Sequence, residues 1–178
     1  ANRACLALWC GNNEIEQIAS EITKTAQRRK AYEEIFYQIL PEAVARHDGQ
    51  TPYWPSSPHN PEGYTKDPNN EKSGDSHFWE VWHARQPVKR YEKTAFRFCS
   101  EFGMQSFSSP EVAATFCLLE EFDAFGPGME NHQKNQSGNL IIQEYVTRRY
   151  RLAGDYASLA YLSQINQAYC MKVAVEHF

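Results

Sequence analysis

An α/β fold is predicted by three observations: short apolar runs of strand character, helical periodicity between them, and acidic residues standing where an apolar run opens into polar sequence. The first run, Cys5-Leu6-Ala7-Leu8-Trp9-Cys10, is continuous and apolar, which predicts a strand buried on both faces of a parallel sheet. Behind it Ile15, Ile18 and Ile22 recur at helical spacing. Tyr32, Ile35, Phe36, Ile39 and Leu40 repeat the pattern in a second helix that Pro41 kinks or restarts.

From Asp48 to Ser73 the composition shifts to Pro, Asn, Ser and Gly around one apolar island, Pro52-Tyr53-Trp54-Pro55, which reads as a short strand followed by a long loop. Aromatic residues at a loop root serve either as stacking surfaces for sugars or as core. His77-Phe78-Trp79-Glu80-Val81-Trp82-His83 alternates as a strand does, and Thr94 to Ser100 forms another that delivers Glu101. Ser109-Pro110-Glu111 opens a helix, with Ser as cap, Pro in the first turn and an acid near the positive end of the dipole. That helix is expected to run to about Glu121, before Gly126-Pro127-Gly128. Asp155 caps a last amphipathic helix that carries Leu159, Leu162 and Ile165 and continues to near Phe178.

With 178 residues the chain supports one domain with a core, spanning 1–178, but falls short of the ~250 of a complete (β/α)8 barrel. Three strand–helix units between Glu14 and Glu101 would average about 29 residues each, close to the ~31 of an eight-unit barrel. Twenty-two acidic residues against 18 basic ones, a net charge of −4 and a pI near 5.9 leave no basic excess to hold a phosphate backbone, so nucleic acid is not an expected partner. The sequence shows neither an apolar stretch of ~18 residues nor a basic-then-apolar leader, so no membrane partner is expected. The five cysteines, at positions 5, 10, 99, 117 and 170, are scattered and without a C-x-x-C pair, which predicts buried thiols. The six histidines lack metal-ligand spacing, so no metal is expected. Asn135-Gln136-Ser137 fits a glycosylation acceptor without deciding the compartment. Cytoplasm is the first reading, with periplasm, secretion and lysosome still open.

Two acids stand out. Glu14 closes Leu8-Trp9-Cys10-Gly11-Asn12-Asn13-Glu14, and Glu101 lies in Arg97-Phe98-Cys99-Ser100-Glu101-Phe102-Gly103. A pair of carboxylates is the minimum equipment for breaking a glycosidic bond, and strand ends on one barrel rim can bring sequence-distant acids together. Arg97 lies four residues before Glu101, ~13 Å along an extended strand, and is read as structural.

Leu6 to Glu16 resembles the acid/base segment of the β-mannosidase branch of glycoside hydrolase family 2. Phe98 to Phe107 resembles its nucleophile segment. Pro52 to Pro58, Gly74 to Trp79 and Gln164-Ile165-Asn166-Gln167-Ala168 resemble that branch too, in the right order along almost the whole chain. The resemblance implies strands 4 to 7 of a (β/α)8 barrel with their helices, the C-terminal half of a catalytic domain. It implies Glu14 as general acid/base and Glu101 as nucleophile in a double displacement at a terminal β-D-mannoside. Asn13 corresponds to the residue that binds the sugar 2-hydroxyl. Trp54, Trp79 and Trp82 are candidates for lining the sugar subsite, and His77 and His83 for donating to hydroxyls, with core packing or a structural role as the alternative for each.

One departure is Phe78, which stands where the branch often has Tyr. The other is extent: the resemblance begins at the fourth barrel strand and stops before the eighth, so the rest of the barrel, or another chain, is an expected partner. These residues alone are expected to hydrolyse mannosides poorly. No cofactor is expected, since two carboxylates and water complete the reaction. Two alternatives remain: a family-2 hydrolase of another β-linked sugar such as a glucosaminide or galactoside, and a non-catalytic carbohydrate-binding or structural fragment.

Overall fold

The computed structural model of the chain describes residues 4–118 and 122–178. The chain folds into two compact units, the first of residues 1–78, 94–102 and 178, the second of residues 79–93 and 103–177. Both the strands and the helices of an α/β chain are present, and among the described residues every strand pairing is parallel.

In the first unit β1 (Trp9–Cys10) pairs with β2 (Tyr53–Trp54). Between them run a 3₁₀ turn (Ile15–Ile18), α1 (Ala19–Thr23), α2 (Ala26–Glu34), a π-helical turn (Ile35–Ile39) and α3 (Leu40–His47). The Thr25 hydroxyl caps α2 by accepting from Arg28 N at 3.1 Å. Pro41 has no N–H to give the preceding turn, and the helix absorbs this by widening before it, with Leu40 N donating to Ile35 O. The helical path therefore passes through Pro41 by a wide turn instead of breaking. The unit's second strand pair is β3 (Ser76–Phe78) with β4 (Cys99–Phe102).

The strands are shorter than the apolar runs suggest, because a run becomes strand only where a partner supplies a ladder. The expected strand from Cys5 to Cys10 contracts to β1, and it is not buried on both faces. Leu8 and Trp9 are each 39% exposed, since among the described residues β1 has only β2 beside it. The expected strand at 77–83 ends at Phe78. The chain then turns, His83 N donating to Trp79 O at 2.7 Å, and Val81 and Trp82 go into the core of the second unit. The expected strand at 94–100 shifts to β4, so Glu101 lies within a strand and not beyond its end.

The second unit packs a 3₁₀ segment (Val88–Lys93), α4 (Pro110–Ala113), α5 (Pro127–His132), α6 (Gly138–Thr147) and α7 (Tyr156–His177). Val81, Trp82, Tyr91, Phe107, Ile141, Ile142 and Val146 are buried here. The α4 helix ends at Ala113, short of the expected end at Glu121, which itself lies outside the described residues. The Asp155 carboxylate starts α7 as expected, accepting from Ser158 N at 2.8 Å and Ser158 Oγ at 3.0 Å. The buried face of α7 differs from the expected one: Ile165 is 37% exposed, while Ala160, Ser163, Asn166, Cys170 and Ala174 are buried with Leu159. This face works through hydrogen bonds. Phe107 N donates to Ser163 Oγ at 2.9 Å, and Gln164 and Gln167 donate to the carbonyls of Phe107 and Met104 at 3.0 and 2.6 Å. Hydropathy spacing cannot report such a seam.

All five cysteines are free thiols. Cys117 and Cys170 are buried as expected, but Cys5 and Cys10 are exposed. Among the described residues no helix is long and apolar enough to cross a membrane.

Candidate active site

Glu14 sits at the end of the β1–β2 ladder, which continues past the strands through Gly11 N to Trp54 O (2.9 Å), Ser57 N to Asn12 O (3.0 Å) and Glu14 N to Ser57 O (2.7 Å). Its backbone is left-handed, φ 61°, a conformation that costs a β-carbon-bearing residue ~1–2 kcal/mol. Both flanks hold it there. On one side Asn12 Oδ1 accepts from Ile15 N (3.2 Å) and Ser56 Oγ (2.7 Å) while its Nδ2 donates to Pro55 O (2.9 Å). On the other, Glu16 is fully buried: Oε1 accepts from the hydroxyls of Tyr32 and Tyr37, each at 2.7 Å, and Oε2 lies 2.6 Å from His59 Nδ1. Burial first, and the Glu16 carboxylate second, push both tyrosines well above the ordinary phenol range, so their hydroxyls stay donors.

Opposite Glu14 the β3–β4 pair presents His77 and Glu101. The register shifts between Ser76↔Cys99 and His77↔Glu101, leaving Ser100 as the extra residue of a bulge. A regular strand would send Ser100 and Glu101 to opposite faces. The bulge lets Ser100 Oγ reach Asp75 at 2.6 Å while Glu101 Oε2 reaches His77 Nδ1 at 3.3 Å. Asp75 is buried, and its Oδ1 accepts from Trp54 Nε1 and His59 N, both at 2.9 Å. Its Oδ2 takes Ser57 Oγ and Ser100 Oγ, both at 2.6 Å. Burial alone would raise its pKa, but these hydrogen bonds, led by Ser100 and Ser57, outweigh that and hold it below the ordinary carboxylate value. Gly74 precedes it at φ +68°, where a β-carbon would collide with the His59 carbonyl.

The result is a three-residue centre. His77 Nδ1 is 2.7 Å from Glu14 Oε1 and 3.3 Å from Glu101 Oε2, and one atom from each of the three lies within 4.8 Å of the others. The imidazole is buried, whereas the side chains of Glu14 and Glu101 are 39% and 36% exposed. Two solvent-facing carboxylates at this separation can address opposite sides of one small ring. The 2.7 Å between His77 Nδ1 and Glu14 Oε1 is a hydrogen-bond distance.

Comparison with known proteins gives the centre a family context. No family model matches the chain. β-Mannosidase B of Aspergillus clavatus is 31% identical over 181 residues, covering 93% of this chain and 21% of the relative. β-Mannosidase B of Aspergillus terreus is 34% identical over 141 residues, or 77% of this chain and 16% of the relative. The solved structure of a β-D-mannosidase from Dictyoglomus thermophilum superimposes with a TM-score of 0.82 at 36% identity, covering 99% of this chain and 21% of that one. The chain is homologous to a segment of the β-mannosidases. It spans about a fifth of the length of the relatives it matches.

Of the residues singled out in the sequence, Glu14, His77 and Glu101 converge. Asn13, adjoining Glu14, is exposed and bridges Ser57 through its backbone. Trp54 stands one step behind, its indole N–H spent on Asp75 and its ring edge-on to His59 at 4.8 Å. Trp79, Trp82 and His83 belong to the second unit. Trp82 is buried there at 2% exposure, Trp79 is half-buried against Gly103, and His83 is exposed beside both rings. Arg97 is exposed and bonds Glu71 O through its backbone N–H. Ser57, Asp75, Ser100, Asn12, Glu16 and His59 join the site without having been singled out by the sequence. Asp75 does carry a signal, since it lies two residues before His77 in the same Gly74-to-Trp79 segment.

Proposed function

We propose that this chain carries the catalytic centre of a retaining β-mannosidase of glycoside hydrolase family 2, with Glu101 as nucleophile and Glu14 as general acid/base. The observation that supports this most is the carboxylate pair, whose nearest atoms lie within 4.8 Å, near the ~5–5.5 Å of retaining enzymes and below the ~6.5–9.5 Å that inverting ones need for an intervening water. In the first step a Glu101 oxygen bonds to the anomeric carbon as the glycosidic bond breaks, and Glu14 gives its proton to the leaving oxygen. In the second, Glu14 takes a proton from water, whose oxygen attacks the same carbon and releases Glu101. Two inversions give net retention. Asn13 holds the sugar 2-hydroxyl, which is axial in mannose, and Trp54 backs the subsite. The scaffold is read as strands 4 to 7 of a (β/α)8 barrel, one half-domain whose remaining strands come from elsewhere. By itself the 178-residue chain is expected to turn over mannosides poorly.

The test is an aryl β-mannoside assay of the longest natural polypeptide that contains these residues. Glu101→Ala is expected to remove turnover. Glu14→Gln is expected to lower it by about 10²–10⁴-fold on poor leaving groups and far less on dinitrophenolate. Full activity in either variant, or preference for an aryl glucosaminide or galactoside, defeats the assignment.

A further inference from the structure

We infer that Asp75, acting through Ser57, fixes a hydrogen on His77 Nε2, so that His77 Nδ1 and Glu14 jointly hold the proton delivered to the leaving group. This rests on the hydrolase reading above and assigns positioning roles to Ser57 and Asp75.

The deduction is one of counting donors. Asp75 Oδ1 accepts from two groups that can only donate, the Trp54 indole and the His59 amide. Asp75 Oδ2 is 2.6 Å from both Ser57 Oγ and Ser100 Oγ, and an ionised carboxylate can only accept. A serine hydroxyl has one hydrogen. With that of Ser57 aimed at Asp75, the contact of 2.9 Å between Ser57 Oγ and His77 Nε2 must have its hydrogen on the nitrogen. Ser100, 3.2 Å from Ser57 Oγ, has its own hydrogen bond to Asp75 and does not compete. His77 is held further by its backbone, His77 N donating to Asn69 Oδ1 at 2.7 Å and Asn69 Nδ2 to His77 O at 2.9 Å.

With Nε2–H fixed, only Nδ1 faces the carboxylates. Two bare acceptors do not approach to 2.7 Å, so one proton lies between Nδ1 and Glu14 Oε1. The charge balance is the same whichever atom carries it, and Glu101 Oε2 stands 3.3 Å from the same nitrogen. During the first step this proton leaves through Glu14 to the glycosidic oxygen, and in the second step water restores it, so His77 has no net change over a cycle. The charged or titratable groups around His77 are Glu14 from the end of the β1 ladder, Glu101 from β4, Asp75 through Ser57, and the neighbouring Cys99 thiol, which burial lifts to about 11 and so keeps neutral.

Asp75→Asn tests the relay because an amide can donate to Ser57. Ser57 would then donate to Nε2, moving the imidazole hydrogen to Nδ1. The readout free of activity is the ¹⁵N spectrum of the His77 imidazole, assigned by its loss in His77→Gln. The wild-type protein is expected to carry Nε2–H, and Asp75→Asn the neutral Nδ1–H form. In kinetics, the alkaline limb of kcat/KM should move to lower pH by about one unit or more for poor leaving groups and stay put for dinitrophenyl mannoside. Should Asp75→Asn not fold, Ser57→Ala serves both measurements, since it frees Nε2. A neutral Nδ1–H tautomer in the wild type overturns the inference. So does an unchanged limb, or an equal fall at every pH and on both substrates. If instead Glu14→Gln and Glu101→Ala stay active, the hydrolase reading fails, and the ¹⁵N tautomer still decides the hydrogen on Nε2.

Discussion

The two compact units bury different chemistry. Glu16, His59, Asp75 and His77, all four of the buried Asp, Glu and His side chains among the described residues, lie in the first, whereas the second buries Asn139, Ser163 and Asn166 but no carboxyl or imidazole among the described residues. Buried charge is expensive unless paired and hydrogen-bonded, and hydrophobic residues of the same volume would often be as stable or more so. The first unit keeps four such groups together, each with hydrogen-bonding partners: Glu16 with Tyr32, Tyr37 and His59, Asp75 with Ser57 and Ser100, and His77 with Glu14. The second unit, with Val81, Trp82, Ile141, Ile142 and Val146 inside, follows the ordinary packing rule.

The contrast breaks most sharply at Glu16. Glu16→Ala leaves two tyrosine hydroxyls and His59 Nδ1 without their acceptor, and is expected to cost about 3–5 kcal/mol in denaturant unfolding while also lowering kcat. A loss under about 1 kcal/mol would mean that the cluster is not what holds the turn at Glu14.

Asp75 sharpens the contrast through pH. Its folded-state pKa lies below the unfolded value of ~3.9, so its contribution is fully present above that value and disappears as pH falls through the lower, folded one. Wild-type stability should therefore decline on acidification in that window, with a shallower slope in Asp75→Asn. Equal slopes would show that Asp75 has the same pKa in the folded and unfolded protein.

The smallest effect belongs to the second unit. Ile142→Val should cost about 0.5–1.5 kcal/mol and leave the pH profile of kcat/KM where it was. A shifted profile would erase the division of labour between the units.

Some of this is legible in the amino-acid sequence and the rest is not, for identifiable reasons. Glu14 and Glu101 are visible because each ends or follows an apolar run, and His77 because it lies in a β-rich segment with its own resemblance. Ser100 is hidden, because alternation along a strand assigns it to the face away from Glu101, and only the bulge reverses that. Glu16 reads as a solvated residue of a polar turn, since its three partners come from positions 16, 21 and 43 residues further along the chain. The buried face of α7 escapes for another reason: Ser163, Gln164 and Gln167 engage backbone groups, which apolar spacing does not register.

The left-handed backbone at Glu14 carries an evolutionary and practical cost of its own. Glycine would adopt φ 61° freely, so a selection that rewards folding alone should drift toward Glu14→Gly, relieving the backbone as it discards the carboxylate that faces His77.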